Sequence, residues 1–213
     1  MDIPVSEPTP LLGTLFVVAA PSGAGKTSLV RGMLDQIDHL TLSVSCTTRL
    51  PREGEESGVH YYFVAPDAFN EMVVQGAFLE HATVYGESYG TSKQWVMDQL
   101  VLGHDVLLEI DWKGAAQVQS FFPQAVTVFI LPPTVESLRT RLEGRKQDAA
   151  EVINQRMAQA SEEMSRYPSF DYLVINEVFD DALAELCAIV KACRLATPRQ
   201  ILRHQQLLSQ LLA

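Results

Sequence analysis

The apolar residues of this chain come in short unbroken runs, with longer amphipathic stretches between them. The clearest are "TLFVVAA" at 14–20, "DVLLEI" at 105–110, "VTVFIL" at 126–131 and "DYLVIN" at 171–176. None alternates apolar with polar positions, as a strand with one wet face would. Separated by helix-like segments, such runs predict a largely parallel α/β sheet covered on both faces.

Between the first run and "DVLLEI" the texture changes. "SVSCTTR", a Gly-containing loop, "HYYFV" and "FLEHATVYGESYGTS" are short β-like pieces broken by Gly and Ser. They predict a small mixed or antiparallel subdomain at about 44–95, inserted into the α/β core. After "VTVFILPP", the segment "TVESLRTRLEGRKQDAAEVINQRMAQASEEM" reads as two charged amphipathic helices about Gly144 and "RKQD". A solvated helical hairpin explains it, and its arginines (139, 141, 145 and 156) equally permit a mobile cover over phosphate. The last segment, "PRQILRHQQLLSQLLA", has helical apolar spacing that suits a packing helix, an oligomerisation helix or a frayed tail. Residues 1–11 are expected to be a flexible leader, 12–195 one domain, and 196–213 a C-terminal helix or tail.

Composition narrows the partners. Of 213 residues, 47% are hydrophobic and 20% charged, which suits a folded domain. The net charge of −10 opposes binding to polymeric nucleic acid or an anionic membrane, because both attract basic faces. A local anion pocket remains compatible with it. Cys46, Cys187 and Cys193 have no metal-site spacing and fit a reducing compartment. The start "MDIPVSEPTP" lacks a secretory signal, so a cytoplasmic location is expected.

"APSGAGKT" at 20–27 is the strongest motif. It matches the phosphate-loop pattern except at Ala20, where the pattern has glycine. Within Ala20-Pro21-Ser22-Gly23-Ala24-Gly25-Lys26-Thr27, the two glycines allow a tight turn that aims peptide N–H groups at phosphate oxygens. Lys26 reaches the distal phosphates, and Thr27 can ligate magnesium. ATP binding is predicted. Farther on, "LLEIDWKG" ends a strand on Glu109 and Asp111, either of which can hold magnesium through water or contact a nearby substrate; Asp111 is preferred.

Taken in order, "APSGAGKT", "SVSCTTRLPREGE", "HYYFV", "FLEHATVYGESYGTS", "LLEIDWKGA", "VFILPP", "RLEGR", "QDAAEVINQRM" and "YPSFDYLVIN" resemble guanylate kinase, of the bacterial type, over about residues 12–195. The resemblance implies a P-loop nucleoside monophosphate kinase fold: a parallel core sheet, an inserted GMP-binding subdomain at 44–95 and a helical lid at 134–160. It implies transfer of the γ-phosphoryl group of ATP to GMP, with Mg²⁺, and use of dGMP as well.

The same resemblance implies residue roles. Arg49, Arg52, Tyr61 and Tyr89 contact the GMP phosphate; Glu80, Ser45 and Thr91 contact the base; Asp111 serves the acceptor and magnesium region with Thr27. Lys26, Arg49, Arg141, Arg145 and Arg156 are the catalytic set, the last three acting from the lid. Arg139 receives no role, Lys146 departs from the Gly that many relatives carry, and Tyr62 reads as packing. His60 and His81 read as neighbouring polar positions. Taken alone, each residue also has a plain structural reading: Ser45 as a turn residue, Thr91 as a helix cap, Glu80 as a hairpin acid, the arginines as surface turns. Another nucleoside monophosphate kinase, or a guanylate-kinase-like interaction module without activity, are the alternatives.

Overall fold

The computed structural model describes residues 13–84, 86–143 and 150–213. The leader expected at 1–11 lies outside them. From the first residue described, the chain runs through β1 (Leu15–Ala19), α1 (Lys26–Gln36), β2 (Leu40–Leu42), β3 (Cys46–Thr47) and β4 (Tyr62–Phe63). It continues through α2 (Pro66–Val74), β5 (Phe78–Val84), β6 (Glu87–Ser92), α3 (Lys93–Val101), β7 (Asp105–Glu109), α4 (Trp112–Phe121) and β8 (Val126–Leu131). Then follow α5 (Val135–Glu143), α6 (Ala150–Met164), β9 (Tyr172–Ile175), α7 (Phe179–Leu195), α8 (Thr197–Arg203) and α9 (Gln205–Leu211).

Five strands form the main sheet in the order β2-β7-β1-β8-β9, and every pairing in it is parallel. The unbroken apolar runs are explained by what covers them. Along β1, Phe16 and Val18 pack into one core with Leu29, Val30 and Met33 of α1 and Leu183, Leu186 and Val190 of α7. Leu15 and Val17 point the other way, into a second core with Val96 and Leu100 of α3 and Ala115 and Val118 of α4. Successive side chains on a strand face opposite sides, and here both sides are dry.

β1 connects through α1 to β2 on one side of the sheet, while its neighbour β7 connects through α4 to β8 on the other, so crossovers from adjacent strands leave in opposite directions. A crevice opens at such a switch point beyond the carboxyl ends of the strands. Ala20 leaves β1 there, and Ile110 and Asp111 leave β7 beside it.

The segment between β2 and α3 builds a second sheet, β4-β3-β6-β5. Its own small core holds Cys46, Phe69 of α2 and Phe78, whose ring lies stacked on Phe69 at 4.7 Å. Gly90 is required where it stands, because a Cβ would meet the Phe78 ring at 2.9 Å. The two sheets are tied through α4: Gln117 accepts from the His81 amide and donates to the His81 carbonyl, both at 3.1 Å. Tyr62, expected to pack, is instead 41% exposed. It sits on the edge strand β4, and the strand's alternation sends it away from Tyr61.

At the opposite end of the main sheet, Asp171 holds the start of β8. Its carboxylate accepts from the amide and hydroxyl of Thr127, each at 2.8 Å, and that hydroxyl accepts from the Asp171 amide at 3.0 Å. Thr127 is fully buried. Thr127→Val keeps the shape and the amide bond but removes the two bonds made by the hydroxyl, so stability is expected to fall by about 1–3 kcal/mol. Calorimetry should read a Tm lower by ~2–4 °C per kcal/mol, with turnover unchanged because the crevice lies at the other end of the strands.

Candidate active site

Between Ala19 and α1 the chain makes a turn with no space for side chains at two positions. Gly23 and Gly25 have φ of 91° and 95°, in the left-handed region that L residues rarely adopt. A Cβ on Gly23 would lie 3.0 Å from Leu138 and Leu142 of α5; one on Gly25 would lie 2.5 Å from the Asn176 amide nitrogen. Asn176 is buried and donates to the Ala24 carbonyl at 2.7 Å. Arg141 braces the same place, donating to the carbonyls of Asn176 at 2.9 Å and Ala24 at 3.3 Å. No side chain caps the first turn of α1, which leaves its amides for a ligand of negative charge.

Lys26 donates to the Ile110 carbonyl at 2.7 Å. Burial pulls its pKa down from the ordinary lysine value, while Glu109, Asp111 and Glu163 push it back. Thr27 donates to Glu109 at 2.5 Å. Asp111 is the N-cap of α4, accepting from the Gly114 amide at 2.8 Å. Thr27, Glu109 and Asp111 all line one cleft of about 570 Å³.

The second sheet supplies the facing wall. Thr91 is paired in register with Glu80 and donates to its carboxylate at 2.6 Å; both are buried. Burial pushes the Glu80 carboxyl above the usual carboxylate range, against the Thr91 bond that lowers it. Gly114 makes the room, since a Cβ there would meet the other Glu80 oxygen at 2.9 Å. Ser45, Tyr61 and Tyr89 line the same cleft. The two tyrosine rings meet edge to face at 5.9 Å, and burial holds the Tyr61 phenol in its protonated, donating form.

Several expected residues stand back from the cavity. Arg49 lies over the Tyr61 ring at 5.4 Å and close to Tyr89, but is ion-paired to Glu55 at 2.8 Å. That bond leads the causes holding the Glu55 carboxyl at about 2. Arg52 is exposed, and its backbone amide donates to Glu55 at 2.7 Å. Ala24 is buried in the loop, and Arg141 is engaged behind it. Arg156 does line the cleft, whereas Arg145 and Lys146 lie outside the described residues.

Among the lining residues that escaped the sequence reading are two on α6. Gln159 and Glu163 share a face of α6 with Arg156, at spacings of three and seven. Burial raises the Glu163 pKa, and the nearby Ser22 backbone of the loop 20–27 pulls it back. The helical spacing from Arg156 was the available signal, masked by the solvated look of the whole hairpin.

A family model described as "Guanylate kinase" matches residues 13–193. The chain belongs to the guanylate kinase family. It is 54% identical over 201 residues to the guanylate kinase of Saccharophagus degradans, covering 94% of this chain and 98% of that one. It is 51% identical over 203 residues to that of Escherichia coli (strain K12), covering 94% and 98%. The crystal structure of guanylate kinase from Anaplasma phagocytophilum superposes with a TM-score of 0.71 at 30% identity, covering 90% of this chain and 91% of that chain. A loop squeezed this tightly makes Gly25→Ala a sharp test of the guanylate kinase site. Strain at φ 95° and displacement of Asn176 are expected to lower ATP-dependent turnover roughly 10²-fold, measured by product formation, with the circular dichroism of the fold retained.

Proposed function

We propose that this guanylate kinase divides its work between the loop 20–27, which cradles ATP, and the β3–β6 wall, which holds GMP. The reaction transfers the γ-phosphoryl group of ATP to GMP and yields ADP and GDP. The observation that carries the division is that Lys26, at the start of α1, and the buried Glu80, on the second sheet, line one cleft.

Guanine presents N1–H and an exocyclic amine, both donors. Glu80, fixed by Thr91, offers carboxylate oxygens to them, and the Ser45 hydroxyl lies in the same cleft. Adenine would place an acceptor against that carboxylate and leave buried groups unmatched, at about 1–3 kcal/mol. Arg49, Arg52, Tyr61 and Tyr89 take the GMP phosphate, with Arg49 exchanging Glu55 for phosphate oxygens. A phosphate oxygen is itself the nucleophile, so positioning and charge neutralisation suffice without a side-chain base.

On the donor side, Lys26 and the loop amides hold the distal phosphates. Arg141, Arg145 and Arg156 act from the α5–α6 lid, completing the site and excluding water as it closes. The donor set fits Mg²⁺: the Thr27 hydroxyl beside Glu109, with Asp111 in the same cleft, offers oxygen alone. Among the described residues no group of three acids, cysteines or histidines could cage a metal, which suits an ion that keeps waters and binds with the substrate phosphates. Bound there, Mg²⁺ would neutralise charge on the β- and γ-oxygens. The Thr27–Glu109 bond supports adding Glu109 to the Asp111 favoured by sequence.

The proposal extends to dGMP, since base and phosphate carry all the assigned contacts. Small nucleotides rather than nucleic-acid polymers are the partners, in keeping with the net charge of −10. No helix among the described residues is long and apolar enough to cross a membrane, and a cytoplasmic site of action is part of the proposal.

Magnesium-dependent turnover measured with GMP, dGMP, AMP, CMP and UMP, with direct detection of diphosphates, should show GMP and dGMP preferred. Efficient use of another monophosphate without GDP formation would overturn the acceptor assignment. Glu80→Gln should lower kcat/KM for GMP roughly 10- to 150-fold, far more than for poor acceptors. The same change should raise Tm at neutral pH by ~2–4 °C per kcal/mol of relieved charge burial. The sign follows from the raised folded pKa: the stability tied to protonated Glu80 is present below the unfolded value and lost as pH rises through the folded one. For catalysis the sign is reversed, and the Glu80-dependent part of GMP use should fade as pH drops through that raised value.

A further inference from the structure

The strand β7 that ends at the nucleotide cleft begins, at Asp105, in a second cavity of about 470 Å³. It is lined by Arg194, Arg199 and Arg203, by His39 and His104, and by Leu102 and Leu202 among others. Asp105 is the one carboxylate lining it among the described residues. We propose that this cavity is a second anion site, taking a small soluble molecule by a phosphate or diphosphate group.

Asp105 is 2% exposed and its oxygens are already engaged. One accepts from the Thr14 amide at 2.6 Å and from Arg199 at 3.2 Å; the other accepts from the Arg194 Nε at 2.7 Å. Arg194 also donates to the Asp38 carbonyl at 2.7 Å. The buried carboxylate thus orients two guanidiniums while cancelling the charge of one. Both keep side-chain exposures of 24% and 22%, and each guanidinium has five donors, so N–H groups remain for an outside oxyanion. Arg203 stands exposed at the rim, beyond the needs of Asp105. Three arginines against one acid leave a local excess of positive charge in a protein of net charge −10.

The histidines add shape. His39 and His104 lie stacked, with ring centres 6.1 Å apart and planes 14° from parallel. His39 holds φ 60°, the sole positive value at a non-glycine position among the described residues, and its carbonyl accepts from the Asp105 amide at 2.9 Å. A strained backbone at the edge of a cavity is a feature of ligand sites. The volume falls in the range of small-molecule pockets, and the two leucines supply an apolar wall.

The inference is independent of the assignments in the nucleotide cleft. Its test is titration of the intact protein with inorganic pyrophosphate at constant ionic strength, read at the imidazole NMR signals of His39 and His104. A saturable shift with a Kd near or below ~1 mM is expected, with no equivalent response to chloride. Arg203→Glu should weaken it at least tenfold while kcat and KM for GMP stay within about twofold, because Arg203 is remote from the cleft and reverses charge only at this rim. Arg199→Lys, which keeps the charge but loses the planar fork, should weaken it less. A response that fails to saturate, that chloride reproduces, or that Arg203→Glu leaves intact would overturn the site.

Discussion

The phosphate loop has no room to relax, and the rest of the cleft is arranged around that fact. Leu138 and Leu142 crowd Gly23 from the lid side, while Asn176 crowds Gly25 from the loop after β9. Asn176 and Arg141 then hold the Ala24 carbonyl from behind. An anion cradle made of backbone amides works only if those amides stay aimed. Here two distant segments, α5 and the loop after β9, do the aiming, so a conformation that costs free energy locally is held by packing elsewhere.

Charge is managed by the same kind of bracing. Lys26 sits largely out of water beside acids, and Glu80 sits in an interior that resists its ionisation. In the proposed reading each meets a partner of opposite character: phosphate for the lysine, the donor edge of guanine for the glutamate. Arg49 waits on Glu55 in a similar way. On that reading the free protein uses internal stand-ins for parts of its substrates, so that binding exchanges polar contacts more than it creates them.

How much of this was legible varies with the range of the interaction. Runs such as "TLFVVAA" announced two-sided burial, and "PSGAGKT" announced a tight glycine turn between strand and helix, because both signals are local. The clustering of Ser45, Tyr61, Glu80, Tyr89 and Asp111 was legible only through resemblance to a family. Glu163 and Gln159 were hidden in a helix whose charges look solvated. Gly114 looked like an ordinary glycine, and only the Glu80 carboxylate 2.9 Å from its missing Cβ shows what it is for. Tyr62 was misread because nothing local says which of two adjacent tyrosines faces inward; the pairing of β4 at a sheet edge settles that.

By itself, then, the sequence determined the strands of the core, the glycine turn after the first of them and the chemical types available at the cleft. These follow from periodicity and from the conformational freedom of glycine, which act over a few residues. Tertiary structure decided which acids meet Lys26, how deeply Glu80 is buried, and that Asp105 gathers Arg194 and Arg199 at the far end of the sheet. Burial, pKa and ion pairing depend on atoms brought together from across the chain, and that proximity exists only once the two sheets and their helices have packed.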